Sequence, residues 1–172
     1  MGDPELRKRG YLIAMILISV IYLPIIVGYI TSYLMAMNIA GEYRMKIRDL
    51  TGKASTAVDS VKKDLKDVER YRDDAVRYIG DSGTYIREGA LESARSSLLN
   101  ALDSLLNSLY FQYCASASLI DASDYLNKAI GYLDGLEDAY RSALSSVEDG
   151  LIATIFYLVI LYLLIKRYKR LK

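Results

Sequence analysis

The chain has 172 residues, of which 52% are hydrophobic, and its formal net charge is +1. It contains no histidine and a single cysteine, Cys114, so the usual zinc, haem and nucleophile-base sets cannot be assembled from its residues. Neither glycine-rich phosphate-binding loop pattern occurs in the sequence. We therefore expect a protein that is not an enzyme, with no catalytic, cofactor-binding or metal-binding residues.

The stretch from Tyr11 to Ala40 contains thirty residues without one Asp, Glu, Lys or Arg. A membrane-spanning helix needs about 20 apolar residues, whereas the apolar core of a removable signal peptide has about 7 to 15. Residues 11–40 are therefore predicted to form a retained transmembrane helix, and residues 1–10 a tail that precedes it.

Small residues recur at every fourth position of this first span, at Gly28, Ser32, Ala36 and Ala40. Small side chains let membrane helices approach one another closely. This ridge is predicted to be a helix-packing interface, and its partner is either the second span of the same chain or a neighbouring subunit.

The segment 41–150 is rich in charge and shows the heptad spacing of apolar residues that is typical of helices packed along a seam. A first helix is predicted from Tyr43 to Ile79, with a turn at Gly80 to Gly83. A second helix is apolar at Leu91, Ala94, Leu98, Leu102, Leu105, Leu109 and Tyr113. A third, starting near Asp121 or Ser123, is apolar at Ala122, Leu126, Ala129, Leu133, Leu136, Tyr140, Ala143 and Val147.

Three helical segments are an odd number, whereas an upright bundle between two spans of one membrane needs an even number of passes. Four arrangements remain open: the middle helix breaks near Asn107 or around residues 114–118, the bundle lies flat, the spans pair between subunits, or they sit in different membranes. Helix lengths favour the broken middle helix. In the third helix, Gly131 and Gly135 are predicted positions of close packing.

A second apolar run, Leu151 to Ile165, is predicted to be the second transmembrane helix, followed by a basic tail at residues 166–172. Basic residues near a span tend to stay in the cytoplasm. Both tails are basic, whereas residues 41–150 carry 14 basic and 19 acidic residues. We therefore expect a cell-membrane protein with both termini in the cytoplasm and residues 41–150 outside.

The predicted fold class is all-α, with two transmembrane helices flanking an extracytoplasmic antiparallel helical bundle of coiled-coil type. The expected function is that of a structural or accessory subunit that self-assembles or joins a larger envelope complex. Two alternatives are a ligand-sensing ectodomain with a separate cytoplasmic partner and a small uncharged pore or transporter subunit. Expected partners are membrane lipids and copies of the chain or other membrane subunits, not nucleic acid. The composition is compatible with an archaeal or viral envelope protein.

Overall fold

The computed structural model describes residues 4–170 and contains two α-helices, α1 (Pro4–Arg87) and α2 (Leu91–Lys169). The two helices pack against each other as a helical hairpin, and the predicted all-α class is confirmed. Residues 1–3 of the predicted N-terminal tail and residues 171–172 of the predicted basic tail lie outside the described residues.

The turn of the hairpin is a glycine-terminated helix end. Gly89 has a φ of +77°, a left-handed conformation that glycine adopts without steric cost. The amide of Ala90 donates to the carbonyl of Tyr85 at 2.9 Å, and the amide of Gly89 donates to the carbonyl of Ile86 at 3.1 Å. These two bonds form a Schellman motif, which satisfies carbonyls at the end of α1 and ends that helix.

The predicted order of three helical segments is wrong in two places. Gly80 and Gly83 do not form a turn, because α1 continues through both of them to Arg87. No break occurs near Asn107 or at residues 114–118, and no third helix begins at Asp121 or Ser123, because α2 is continuous across all of these positions. Residues 4–170 thus contain two long helices, where the sequence pattern predicted a larger number of shorter ones.

Residue contacts divide the chain into two compact units. Unit 2 is Lys46–Gly131, in which both helices run antiparallel. Its buried side chains are all Ala or Ser: Ala54, Ala75, Ser82, Ala94, Ser97, Ala101, Ser104, Ala115, Ala122 and Ala129. Short side chains at seven-residue spacing allow two helices to approach closely along one seam.

Unit 1 comprises Met1–Met45 and Tyr132–Lys172, and both apolar runs of the sequence lie in it. Its buried side chains are Ala36, Ala40, Ala139 and Ala143. Both helices are long and apolar enough to span a membrane, with 18-residue windows of mean hydropathy 2.5 in α1 and 2.0 in α2, exposed in both cases.

Candidate interaction surface

The seam of α2 in unit 2 uses smaller residues than the sequence pattern indicated. One column of the seam starts at Ala94 and continues at Ala101, Ser108, Ala115 and Ala122, as predicted for Ala94 and Ala122. The second column is Ser97, Ser104, Phe111, Ser118 and Tyr125. The leucines that the pattern assigned to the seam lie outside it, and Leu98, Leu102, Leu105 and Leu109 are 42 to 61% exposed.

The displaced leucines flank the seam on one side of the hairpin. In each helix, the residues that come directly after the second-column residues lie along one edge of the seam. Because the two helices are antiparallel, this edge of α1 lies next to the equivalent edge of α2. On α1 the second column is Ala57, Asp64, Tyr71, Tyr78 and Tyr85, and the residues that follow it are one arginine, Arg72, and four apolar residues, Val58, Leu65, Ile79 and Ile86. We define the leucine face as these four residues together with seven from α2: Leu91, Leu98, Leu102, Leu105, Leu109, Leu119 and Leu126. All eleven are between 37 and 72% exposed.

An open groove of about 430 Å³ near the turn confirms that both helices contribute to one apolar surface. Ile86 of α1 lines it together with Leu91, Leu98 and Leu102 of α2. Monomeric soluble proteins rarely expose contiguous apolar patches of more than a few hundred Å². A face that runs along several helical turns of both helices is therefore the principal candidate for an interaction surface in unit 2.

The opposite edge of the same seam is polar. The residues that precede the first-column positions are Lys53, Ser60, Asp67, Asp74 and Asp81 on α1, and Ser93, Asn100, Asn107, Cys114, Asp121 and Lys128 on α2. The two edges of the hairpin therefore differ strongly in polarity.

Interactions on the polar edge are those of a solvated surface. Lys53 lies 2.7 Å from Asp49, and this hydrogen bond and charge raise the pKa of Lys53. Lys128 lies 3.1 Å from Asp124. On the same side, a hydrogen bond with Cys114 raises the pKa of Tyr110. Ion pairs that are this exposed contribute little to stability, so this edge has no need of a partner.

The predicted helix-packing ridge of the first span is divided by the structure. Ala36 and Ala40 are buried, 5 and 2% exposed, in the seam of unit 1. Gly28 and Ser32 are exposed, and no atom lies within 4 Å of a side chain built on Gly28. The ridge repeats every four residues, whereas the seam repeats on average every 3.5, so the two diverge over the length of the ridge.

The two glycines predicted to allow close packing differ in their surroundings. A Cβ atom built on Gly135 would lie 2.7 Å from Cζ of Tyr43, so this glycine accommodates a tyrosine ring from the other helix. A Cβ atom built on Gly131 would meet nothing within 4 Å.

Aromatic and hydroxyl contacts complete the seam of unit 1. The hydroxyls of Ser19 and Tyr157 are 3.0 Å apart, and the Tyr22 and Tyr157 rings are 5.9 Å apart. Tyr29 packs over Gly150, where an added Cβ would lie 3.2 Å from the tyrosine Cβ. Sequence reasoning missed these pairs. A signal for them exists, because Tyr22, Tyr29 and Tyr43 are separated by multiples of seven residues.

Among residues 4–170, no group of three or more Cys, Asp or Glu side chains is placed to hold a metal ion. No protein-family model, curated protein or solved structure matches the chain.

Proposed function

We propose that this protein is a non-enzymatic integral membrane subunit, structural or accessory, that assembles through the leucine face. The single observation that carries this proposal is that the fully buried side chains of the hairpin are all Ala or Ser, while most of its leucines lie exposed beside the seam. A hairpin selected to work alone would be expected to place its leucines between its helices.

Anchoring in a membrane is supported by the two uncharged stretches at residues 11–40 and 151–165, both of which belong to unit 1. In this proposal the two stretches cross one membrane. The basic residues Arg7, Lys8, Arg9, Lys166 and Arg167 remain in the cytoplasm. Unit 2, with its many charges, lies on the other side.

Unit 2 is charged in a way that favours water over lipid as its surroundings. Ion pairs such as Arg77 with Asp74, 3.0 Å apart, follow the outer surface of α1. Since burying charges in hydrocarbon is costly, the exposed leucines of unit 2 require a protein partner rather than the bilayer core. This supports assembly over an isolated anchor.

The proposal is tested by extracting the protein from its native membrane in a mild detergent and identifying every chain that co-purifies. We expect a defined homo-oligomer or a stoichiometric complex with other membrane chains. A lone monomer that binds no other chain would refute the proposal, and a thermal-shift screen would then test the alternative of a ligand-sensing ectodomain.

A further inference from the structure

We propose that one end of unit 1 binds the headgroups of anionic lipids, in the leaflet next to the two chain termini. The surface is a cluster of seven cations that we define as the basic end: Arg7, Lys8 and Arg9 of α1, with Lys166, Arg167, Lys169 and Arg170 of α2. This inference rests on the proposed function, because it requires the two spans of unit 1 to lie in a membrane. It goes further by naming the class of lipid and the residues that select it.

The first argument is that both helices bring their cations to the same level of unit 1. The hydroxyls of Ser19 and Tyr157 are 3.0 Å apart, so these two residues lie side by side. Because both helices rise by about 1.5 Å per residue and run antiparallel, ten residues beyond this contact α1 reaches Arg9 and α2 reaches Arg167. The contact between the Tyr22 and Tyr157 rings gives the same correspondence to within one helical turn. The cations of the two helices therefore lie together at one end of unit 1.

The second argument is that these cations lack counter-charges within the chain. Lys8 lies 3.6 Å from Glu5, whereas the other six cations are exposed and make no ion pair with a described residue. Over residues 1–40 and 150–172 the sequence has eight basic residues and two acidic ones. Like charges held close together attract anions, and they favour a headgroup with a net negative charge over a zwitterionic one.

The third argument is the apolar surface that borders the basic end. Leu12 and Ile13 of α1 are 51 and 56% exposed, and Leu163 of α2 is 52% exposed. The ammonium of Lys166 lies 5.8 Å from the centre of the ring of Tyr162, a residue type that is enriched at the level of lipid headgroups. Cations that adjoin apolar surface are matched by an anion that carries an apolar chain. A membrane lipid has this arrangement, whereas a soluble anion or a nucleic acid lacks it.

The opposite end of unit 1 has the opposite charge. Residues 41–45 and 132–149 include six acidic and two basic residues. One of these basic residues, Arg141, is already paired with Glu137 at 3.0 Å. Negative charge at this end disfavours anionic headgroups, so the preference for anionic lipid is confined to the leaflet that adjoins the basic end.

The lipid preference is tested by electron paramagnetic resonance, with the full-length protein reconstituted in phosphatidylcholine bilayers. Lipids in contact with the protein are immobilised, and their fraction is compared for spin-labelled phosphatidylglycerol and spin-labelled phosphatidylcholine. At low salt we expect phosphatidylglycerol to associate about threefold or more over phosphatidylcholine, and about 1 M salt, which screens charges beyond about 3 Å, should abolish this preference. Equal association of the two lipids at low salt, or a preference that high salt leaves unchanged, would overturn the inference.

The residues are tested by neutralising cations in matched variants. One variant neutralises three cations of α2, by Arg167→Gln, Lys169→Gln and Arg170→Gln. A second neutralises two cations of α1, by Arg7→Gln and Arg9→Gln. The control neutralises three exposed lysines of unit 2, by Lys62→Gln, Lys63→Gln and Lys66→Gln. We expect each basic-end variant to reduce the preference about twofold or more, since both helices contribute to it, and the control to retain it. Far-ultraviolet circular dichroism should show full helicity for all three.

The outcomes separate this inference from the proposed function. If the full-length protein does not float with the bilayers in a density gradient, membrane anchoring and the lipid preference both fail. If it floats but associates equally with both lipids, anchoring stands and this inference is refuted. If the extracted protein is a lone monomer yet prefers phosphatidylglycerol, assembly fails and this inference stands. A reconstituted protein that shows no lipid preference but binds a labelled oligonucleotide would assign the basic end to nucleic acid and overturn the inference.

Discussion

The pair Gly131 and Gly135 gives the most direct test of how closely the helices approach. Replacing glycine by alanine inside a helix gains about 1 kcal/mol of helix propensity. At Gly131 nothing lies within 4 Å of the new methyl group, so Gly131→Ala should stabilise the protein by about 0.5–1 kcal/mol. At Gly135 the methyl group would lie 2.7, 3.0 and 3.1 Å from three atoms of the Tyr43 ring.

Overpacking a close contact of this kind costs about 1–3 kcal/mol, which cancels or exceeds the gain in propensity. Gly135→Ala should therefore be neutral or destabilising by up to about 2 kcal/mol. For a chain of this size, 1 kcal/mol corresponds to about 2–4 °C in melting temperature. Thermal unfolding in detergent, followed at 222 nm, should place Gly135→Ala clearly below Gly131→Ala.

A double variant checks the cause of the difference. Combining Gly135→Ala with Tyr43→Leu removes the ring that the methyl group would meet, so the added alanine should now stabilise the Tyr43→Leu background. If Gly135→Ala raises the melting temperature of the wild type as much as Gly131→Ala does, the close approach of Tyr43 to Gly135 is refuted.

Three further predictions concern the turn, the seam and the polar edge. Gly89→Ala puts a side chain on a residue in the left-handed conformation and should lower the free energy of unfolding by about 1 kcal/mol. Gly52→Ala, in open space on α1, should raise it by about the same amount. Equal melting temperatures of the two variants would contradict the turn at Gly89. Ala122→Leu overfills a position that is 2% exposed and should lower the free energy of unfolding in denaturant by about 1–3 kcal/mol. The same substitution at an exposed position, Ala117→Leu, should change it by no more than about 0.5 kcal/mol. Equal losses in the two variants would contradict the seam. Cys114→Ala removes the largest cause of the raised pKa of Tyr110, so the ring of Tyr110 should titrate at lower pH by tyrosine-labelled NMR; an unmoved titration would refute that hydrogen bond.

The sequence predicted the all-α fold class, but it did not predict which face of α2 packs against α1. The helix predicted from Tyr43 to Ile79 is part of α1, and its apolar residues Ile47, Leu50, Ala54, Val61 and Val68 lie in or beside the seam of the structure. On α2 the same reasoning selected Leu98, Leu102, Leu105 and Leu109, each of which directly follows a seam residue, because leucine is larger and more apolar than the Ala or Ser in the seam. Periodicity identifies an apolar face, but it does not say whether the chain itself covers that face.

Chain breaks were misplaced for a related reason. Gly80 and Gly83 resemble a turn, yet both lie in α1, since an isolated glycine costs a helix only about 1 kcal/mol and packing of the flanking seam outweighs it. The true turn depends on Gly89, where the backbone adopts a positive φ. The sequence does not distinguish a glycine that ends a helix from a glycine inside one. The packing of α1 against α2 decides where the helix ends.

The small-residue ridge of the first span shows why residue spacing alone could not predict which residues form the interface. Sequence spacing placed Gly28, Ser32, Ala36 and Ala40 on one line, and the seam includes only the last two. A four-residue repeat and a 3.5-residue repeat coincide over about two turns and then separate. The small residues alone therefore could not fix which of them contacts α2.

The most direct test of the central claim, that the protein assembles through the leucine face, is the detergent-corrected mass of the full-length protein, extracted from its native membrane, by sedimentation. We predict a species heavier than the 19.3 kDa of one chain, and its conversion to a single chain by Leu98→Lys with Leu105→Lys. A mass of one chain for the wild type at every protein concentration would contradict the account.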